Sequence, residues 1–202
     1  MPPRIYLAGP MVFDPDPSVR FDRMKTLCQL HGVIGVAPLD NQIGLEGVAP
    51  GKDLLQRIVR ADIALMQDLE AAVFCLDSFR RGPEMDAGTA FEVGYMAALG
   101  KPIAGWTSDT RLYPQRVAAY FHTAFGATLT HTAPGPTGGT SGTTRDPDGV
   151  LVHSEGCVQN AMIHVGIELA GGIIAVDPDW ERAFSQAVAS IARRVTAPAA
   201  PP

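Results

Sequence analysis

The chain has 202 residues, 46% of them hydrophobic and 18% charged, and carries a formal net charge of −5. That acidic balance, with no basic cluster or basic–aromatic stripe, argues against a nucleic acid polymer as partner, and no apolar run approaches the roughly 20 residues of a membrane span. Cys28, Cys75 and Cys157 are far apart and form no CxxC pair, so they read as buried thiols, with no disulfide framework, metal site or cofactor expected.

The N-terminal stretch MPPRIYLAGP lacks the charged and apolar regions of a secretion signal, which makes a cytoplasmic location the expectation. Residues 4–8, RIYLA, read as a buried first strand ended by Gly9-Pro10. Ser18 is a candidate cap for a helix with Phe21, Met24, Leu27 and Leu30 at helical spacing, stopped by Gly32. VIGVA at 33–37 gives a second strand, then a turn-rich segment leads to a helix from about Asp53 to Met66. AAVFCL at 71–76, a loop to Asp86, a helix ended by Gly100, and KPIAGW supply the next strand, helix and strand.

From about 123 to 150 the chain is rich in Gly, Pro and Thr and reads as a mobile surface excursion. A helix over 160–169, a short strand IIAV and an amphipathic closing helix with Asp179 as its N-cap follow, before a proline-rich tail at 196–202 that is expected to be disordered. Short apolar strands alternating with helices predict a single α/β domain: a doubly wound, flavodoxin-like or Rossmann-like parallel five-stranded sheet with helices on both faces. In such a sheet the loops at Gly9-Pro10, Asp40 to Gln42 and Asp77 to Asp86 leave from the carboxyl ends of the strands and converge on one pocket.

Within GPEMDAGTAFEVGYMAALGKP, residues 82–102, Glu92 is an acid inside a helix of small and apolar residues. Thr89 and Glu92 have capping-box spacing, which would place the acid in the first turn as a structural element. Gly88, Ala87 and Gly94 instead leave room for a ligand beside it. Asp86, six residues earlier, can bring a second carboxylate to the same pocket, and two such groups suit nucleophile and proton-donor chemistry at a glycosidic carbon.

The segments IYLAGP, APLDNQ, D-x-G-T-x-F-E-x-G-Y-x-x-A-L-G-K-P and Q-N-x-M together resemble the nucleoside 2-deoxyribosyltransferases. The resemblance covers residues 4–110 well and 155–170 loosely. It implies exchange of the nucleobase of a 2′-deoxyribonucleoside with retention at C1′, through a covalent glycosyl-enzyme, in nucleoside salvage. By the same resemblance Glu92 is the nucleophile, Tyr6 orients it, Asp86 lies near the sugar hydroxyls or the base, and Asp62 delivers a proton to the departing base. Gln42 reads the base edge, Phe13 stacks on the base, and Asp14 approaches the sugar, with Gly9 and Gly88 lining the site.

Asn160 and Met162 match an element that reaches into a neighbouring subunit, which implies a homo-oligomer. The approach to that Asn, EGCVQN, departs from the glycine-, leucine- and proline-containing approach typical of the family.

Each residue also has a plainer reading: Tyr6 as a core aromatic, Asp62 and Asp86 as surface acids, Asp40-Asn41 as a turn pair, Met162 as helix packing. Related glycosidases that hydrolyse nucleoside 5′-monophosphates build a phosphate cradle after the first strand. Here GPMVFDPDPSVR puts Asp14 and Asp16 in that place, so a free nucleoside fits the charge better. Hydrolysis of a free nucleoside and a non-catalytic nucleotide-sensing domain stand as the other readings. The absence of GxGxxG in the first turn counts against a dinucleotide-dependent dehydrogenase.

Overall fold

Continuous apolar runs become the central strands because both of their faces are covered. In the computed structural model, which describes residues 1–41, 47–132 and 142–196, the elements before the expected excursion are β1 (Arg4–Ala8), α1 (Pro17–Leu30), β2 (Ile34–Val36), α2 (Lys52–Asp68), β3 (Ala71–Cys75), α3 (Ala87–Ala98) and β4 (Ile103–Thr107). Then come α4 (Tyr113–Phe125), β5 (Thr130–Thr132), β6 (Thr143–Arg145), β7 (Leu151–Val152), α5 (Ala161–Leu169), β8 (Ile174–Val176) and α6 (Trp180–Thr196). Two 3-10 turns, Pro10–Phe13 and Pro38–Asn41, follow β1 and β2. Among the described residues no helix is long and apolar enough to cross a membrane.

β2-β1-β3-β4-β8 form one parallel five-stranded sheet. The chain moves outward from β1 to β2 and then returns past β1 to β3, so the order reverses between β1 and β3, the place where α/β sheets bind ligands. Strand alternation sends Ile5 and Leu7 to a core with Phe21, Met24, Phe184 and Val188 of α1 and α6. Tyr6 and Ala8 go to the opposite core, with Leu65 and Met66 of α2, Val93 and Met96 of α3, and Ile167 of α5.

Several expectations change. The N-cap of α1 is Asp16, which accepts the hydroxyl of Ser18 at 2.7 Å; Ser18 is inside the helix and does not cap it. Within the expected excursion, residues 133–141 lie outside the described residues, while on either side of them β5 and β6 pair, with β7 beyond, as a small antiparallel sheet. Asp146 closes the turn before β7, its Oδ1 accepting the amides of Asp148 and Val150. β5 and β6 are threonine-rich, which favours extended structure, but β5 is exposed along its length, so no inward–outward alternation marks it. Asp179 caps α6, its Oδ1 accepting the Glu181 amide at 3.0 Å. α6 runs to Thr196, so the expected tail is shorter, and residues 197–202 lie outside the described residues.

Candidate active site

The chain after β1 turns sharply at Gly9. A Cβ there would lie 2.6 Å from Cys75 Cβ and 2.7 Å from Met11 Sδ, closer than side-chain carbons approach, so only glycine lets this turn pass over the end of β3. The turn at Pro10–Phe13, the one at Pro38–Asn41, α2 and the start of α3 then enclose a cavity of about 380 Å³. Gly9, Phe13, Asp62, Asp86, Gly88 and Glu92 line it together.

Asp86 is the N-cap of α3: its Oδ2 accepts the Thr89 amide at 2.8 Å and the Thr89 hydroxyl at 3.0 Å. A cap of this kind contributes about 1 kcal/mol to the helix. The capping box expected at Thr89 and Glu92 is therefore not the one formed, because Asp86 starts the helix three residues earlier. Glu92 sits in the second turn, three residues past the capping-box position that Thr89 occupies, away from the free amides at the helix start, and its carboxylate is free for another task.

That carboxylate meets β1. Tyr6, fully buried on the α2–α3 side of the sheet, donates its hydroxyl to Glu92 Oε1 at 2.6 Å. Burial pushes Glu92 up to about 7; the Tyr6 bond pulls the other way, while Asp62 and Asp86 add repulsion. Burial likewise holds the Tyr6 phenol well above its ordinary value, with the Glu92 charge reinforcing it, so Tyr6 stays a donor. Asp62 is pushed up to about 6 by burial. Two carboxyl groups that repel one another titrate as a pair, and between these values the pair holds a single proton.

α2 explains Asp62. Leu55, Ile58, Val59 and Asp62 all line the cavity, and positions i, i+3, i+4 and i+7 share one helix face. An acid that continues an apolar stripe is the sequence signal that it belongs to a site. Leu55, Ile58 and Val59, with Val12 and Leu39, give the cavity an apolar wall that no motif in the sequence marks. Such a wall suits the flat faces of a nucleobase.

The remaining expected residues sit at the edge of the cavity or away from it. Phe13 is 59% exposed at the cavity's lip, its ring 5.2 Å from that of Phe79. Asp14 ends the first turn, its amide donating to Met11 O, and it does not line the cavity. Gln42 lies outside the described residues. Asn160 caps α5, its Oδ1 accepting the Met162 amide at 2.9 Å, and Met162 is 83% exposed; neither lines the cavity of its own chain.

The sequence profile of the nucleoside 2-deoxyribosyltransferases matches residues 5–162. The chain belongs to this family. An uncharacterized protein of Schizosaccharomyces pombe is 47% identical over 193 residues, 96% of this chain and 90% of that one. A solved 2-desoxiribosyltransferase from Leishmania mexicana is 28% identical and superposes with a TM-score of 0.59 over 93% of this chain and 97% of its own. A conserved protein from Enterococcus faecalis, 18% identical, shares the fold at a TM-score of 0.53 over 92% of this chain and 99% of its own. The family match takes in every residue that lines the cavity, together with Asn160 and Met162. β8 and α6 lie beyond it: they complete the sheet and one core rather than the pocket.

Proposed function

We propose that this protein exchanges the nucleobase of 2′-deoxyribonucleosides by a retaining double displacement in nucleoside salvage. The observation that carries this reading is the buried Tyr6 hydroxyl held 2.6 Å from Glu92 Oε1 at the floor of an acid-bearing, apolar-walled cavity. In the first half-reaction a Glu92 oxygen attacks C1′ as the C1′–N bond breaks, and the base leaves with the proton held by Asp62. In the second, a nitrogen of the incoming base attacks C1′ from the opposite face, its N–H proton passes to Asp62, and the carboxylate departs. Two inversions give retention. With Glu92 up at about 7 and Asp62 at about 6, the single proton of the pair rests mainly on Glu92, and the Tyr6 hydrogen bond favours the minor form that reacts, ionised Glu92 beside protonated Asp62.

Among the described residues, the cavity lining contains three acids, Asp62, Asp86 and Glu92, and no basic side chain. That charge repels a 5′-phosphate, which supports a free nucleoside over a nucleoside monophosphate as substrate. Exposed Met162 and Leu169 on α5, and Phe91 on α3, which packs against α5, give a face that a second copy would cover. In that assembly Asn160 and Met162 would complete a neighbour's site, and the native mass in solution would be a multiple of 21.4 kDa.

The test supplies 2′-deoxyinosine with free adenine or cytosine. The expected result is the exchanged nucleoside, lost by about 10⁴-fold or more in Glu92→Ala, the scale seen when a covalent nucleophile is removed. Release of base and deoxyribose at one rate with or without an acceptor would replace transfer by hydrolysis. Cleavage of nucleoside monophosphates alone would overturn the substrate assignment.

A further inference from the structure

The connection from β3 to α3 has a second side. Ser78 and Arg81 from this connection, with Arg111 just before α4 and Arg116, Tyr120 and Thr123 on it, line a separate cavity of about 420 Å³. It shares no residue with the candidate active site. Its charge is the inverse of that site: in a chain of net charge −5, this lining holds three arginines and no acid.

The arginines are not equivalent. Arg116 is 2% exposed, its guanidinium donating to the carbonyls of Leu76, Asp109 and Arg111 and to Thr107 Oγ1. Arg111 pairs with Asp109 through Nε and Nη2, leaving Nη1 outside that pair. Asp109 also lies 3.5 Å from Arg116, and Asp77, linked to Arg116 through Thr107 Oγ1, adds a second carboxylate near it, so two carboxylates stand against the three guanidiniums. Arg81 has no hydrogen bond or ion pair among the described residues. Arg80 and Arg81 both have left-handed backbones, φ 49° and 64°, a conformation that costs a non-glycine residue on the order of 1–2 kcal/mol. The loop thus holds a free guanidinium at a cavity that already contains two.

An excess of guanidinium over carboxylate, with the hydroxyls of Ser78, Tyr120 and Thr123 around it, suits a doubly charged tetrahedral oxyanion, whose oxygens match the arginine fork. The volume is in the range of small-molecule sites and exceeds what a bare ion needs. Ala119 and Ala124 of α4 provide apolar wall for the remainder of a ligand. We propose that this cleft is a binding site for a small organic phosphate monoester, distinct from the acid-lined cavity that would take the neutral nucleoside.

The test is calorimetric titration of the full chain with ribose 5-phosphate, inorganic phosphate and ribose, at one ionic strength set with chloride. Saturable one-to-one binding of ribose 5-phosphate is expected, with inorganic phosphate weaker and ribose silent. Arg81→Ala, at an exposed loop position, should weaken the ester by about tenfold or more, the loss of one charge-assisted contact. Glu92→Ala should leave it unchanged. Absence of saturable phosphate binding, or equal affinity in Arg81→Ala, overturns the site; loss of binding in Glu92→Ala assigns the ester to the other cavity instead. Inorganic phosphate binding as tightly as the ester overturns the organic assignment. The readout is binding alone, so failure of the base-exchange assay would leave this result standing.

Discussion

The two faces of one sheet are built to different ends. Under α1 and α6, alternate residues of the strands, Ile5, Leu7, Val73 and Trp106, meet Phe21, Met24, Phe184 and Val188, all buried and apolar. Under α2, α3 and α5, the intervening residues of the same strands meet an apolar core that is interrupted by the hydroxyl of Tyr6 and the carboxylate of Glu92. Removing a charged group from water is costly and close packing is not. The first face therefore stabilises the sheet, and the second gives up part of that stability to keep an ionisable pair where a ligand can meet it.

This contrast breaks most visibly in Phe184→Ala. Truncating a fully buried phenylalanine costs about 3–5 kcal/mol, so the melting temperature should fall by about 10 °C, while the pH dependence of base exchange in the folded fraction stays that of the wild type. A changed pH profile would mean the two faces are not independent.

Glu92→Gln should move stability the other way. In the folded chain Glu92 keeps its proton up to about pH 7, while unfolded it loses it near the ordinary 4.5. The folded state therefore holds more protons between those values, and wild-type stability declines as pH rises through that window. The amide removes this decline. It should stabilise the protein by about 2 kcal/mol above pH 7, after allowance for partial exposure, and by nothing below pH 4.5. Thermal melts at pH 8 and pH 4 check this, and an equal gain at both would remove the buried charge as its cause.

Tyr6→Phe carries the smallest effect, about tenfold in rate for one lost hydrogen bond to a charged group. Its sharper signature is in the pH profile. Wild-type exchange should peak between about pH 6 and 7, where the Asp62–Glu92 pair holds one proton. The Tyr6 bond lowers the Glu92 value, the upper of the two, so without it the alkaline limb should move to higher pH. An unmoved limb would reduce Tyr6 to a packing residue.

The central strands were readable from sequence because burial on both faces leaves continuous apolar runs, and the loops at their carboxyl ends follow from that. α4 was not read. Its buried residues are Arg116 and Val117; Tyr113, Val117, Tyr120 and Ala124 do fall at helical spacing, but the anchor is a buried guanidinium bonded to carbonyls, which spacing alone does not reveal. β5 to β7 escaped for the related reason that their side chains face mostly water. Glu92 and Tyr6 were picked out, but the turn of the helix was misplaced, since Asp86 and Thr89 are both good caps three residues apart and only their mutual hydrogen bonds decide between them. Asn160 carries a local capping bond that sequence spacing alone does not separate from a contact to a neighbour.

Asp86 has a consequence beyond starting a helix. The carboxylate that lines the cavity is already fastened through Oδ2 to the Thr89 amide and hydroxyl, and it is 8% exposed. A ligand arriving there meets a group whose rotamer was chosen during folding, so little orientational entropy remains to be lost on binding. The same economy constrains evolutionary drift: a substitution that retunes position 86 for a new ligand must also find α3 another way to begin.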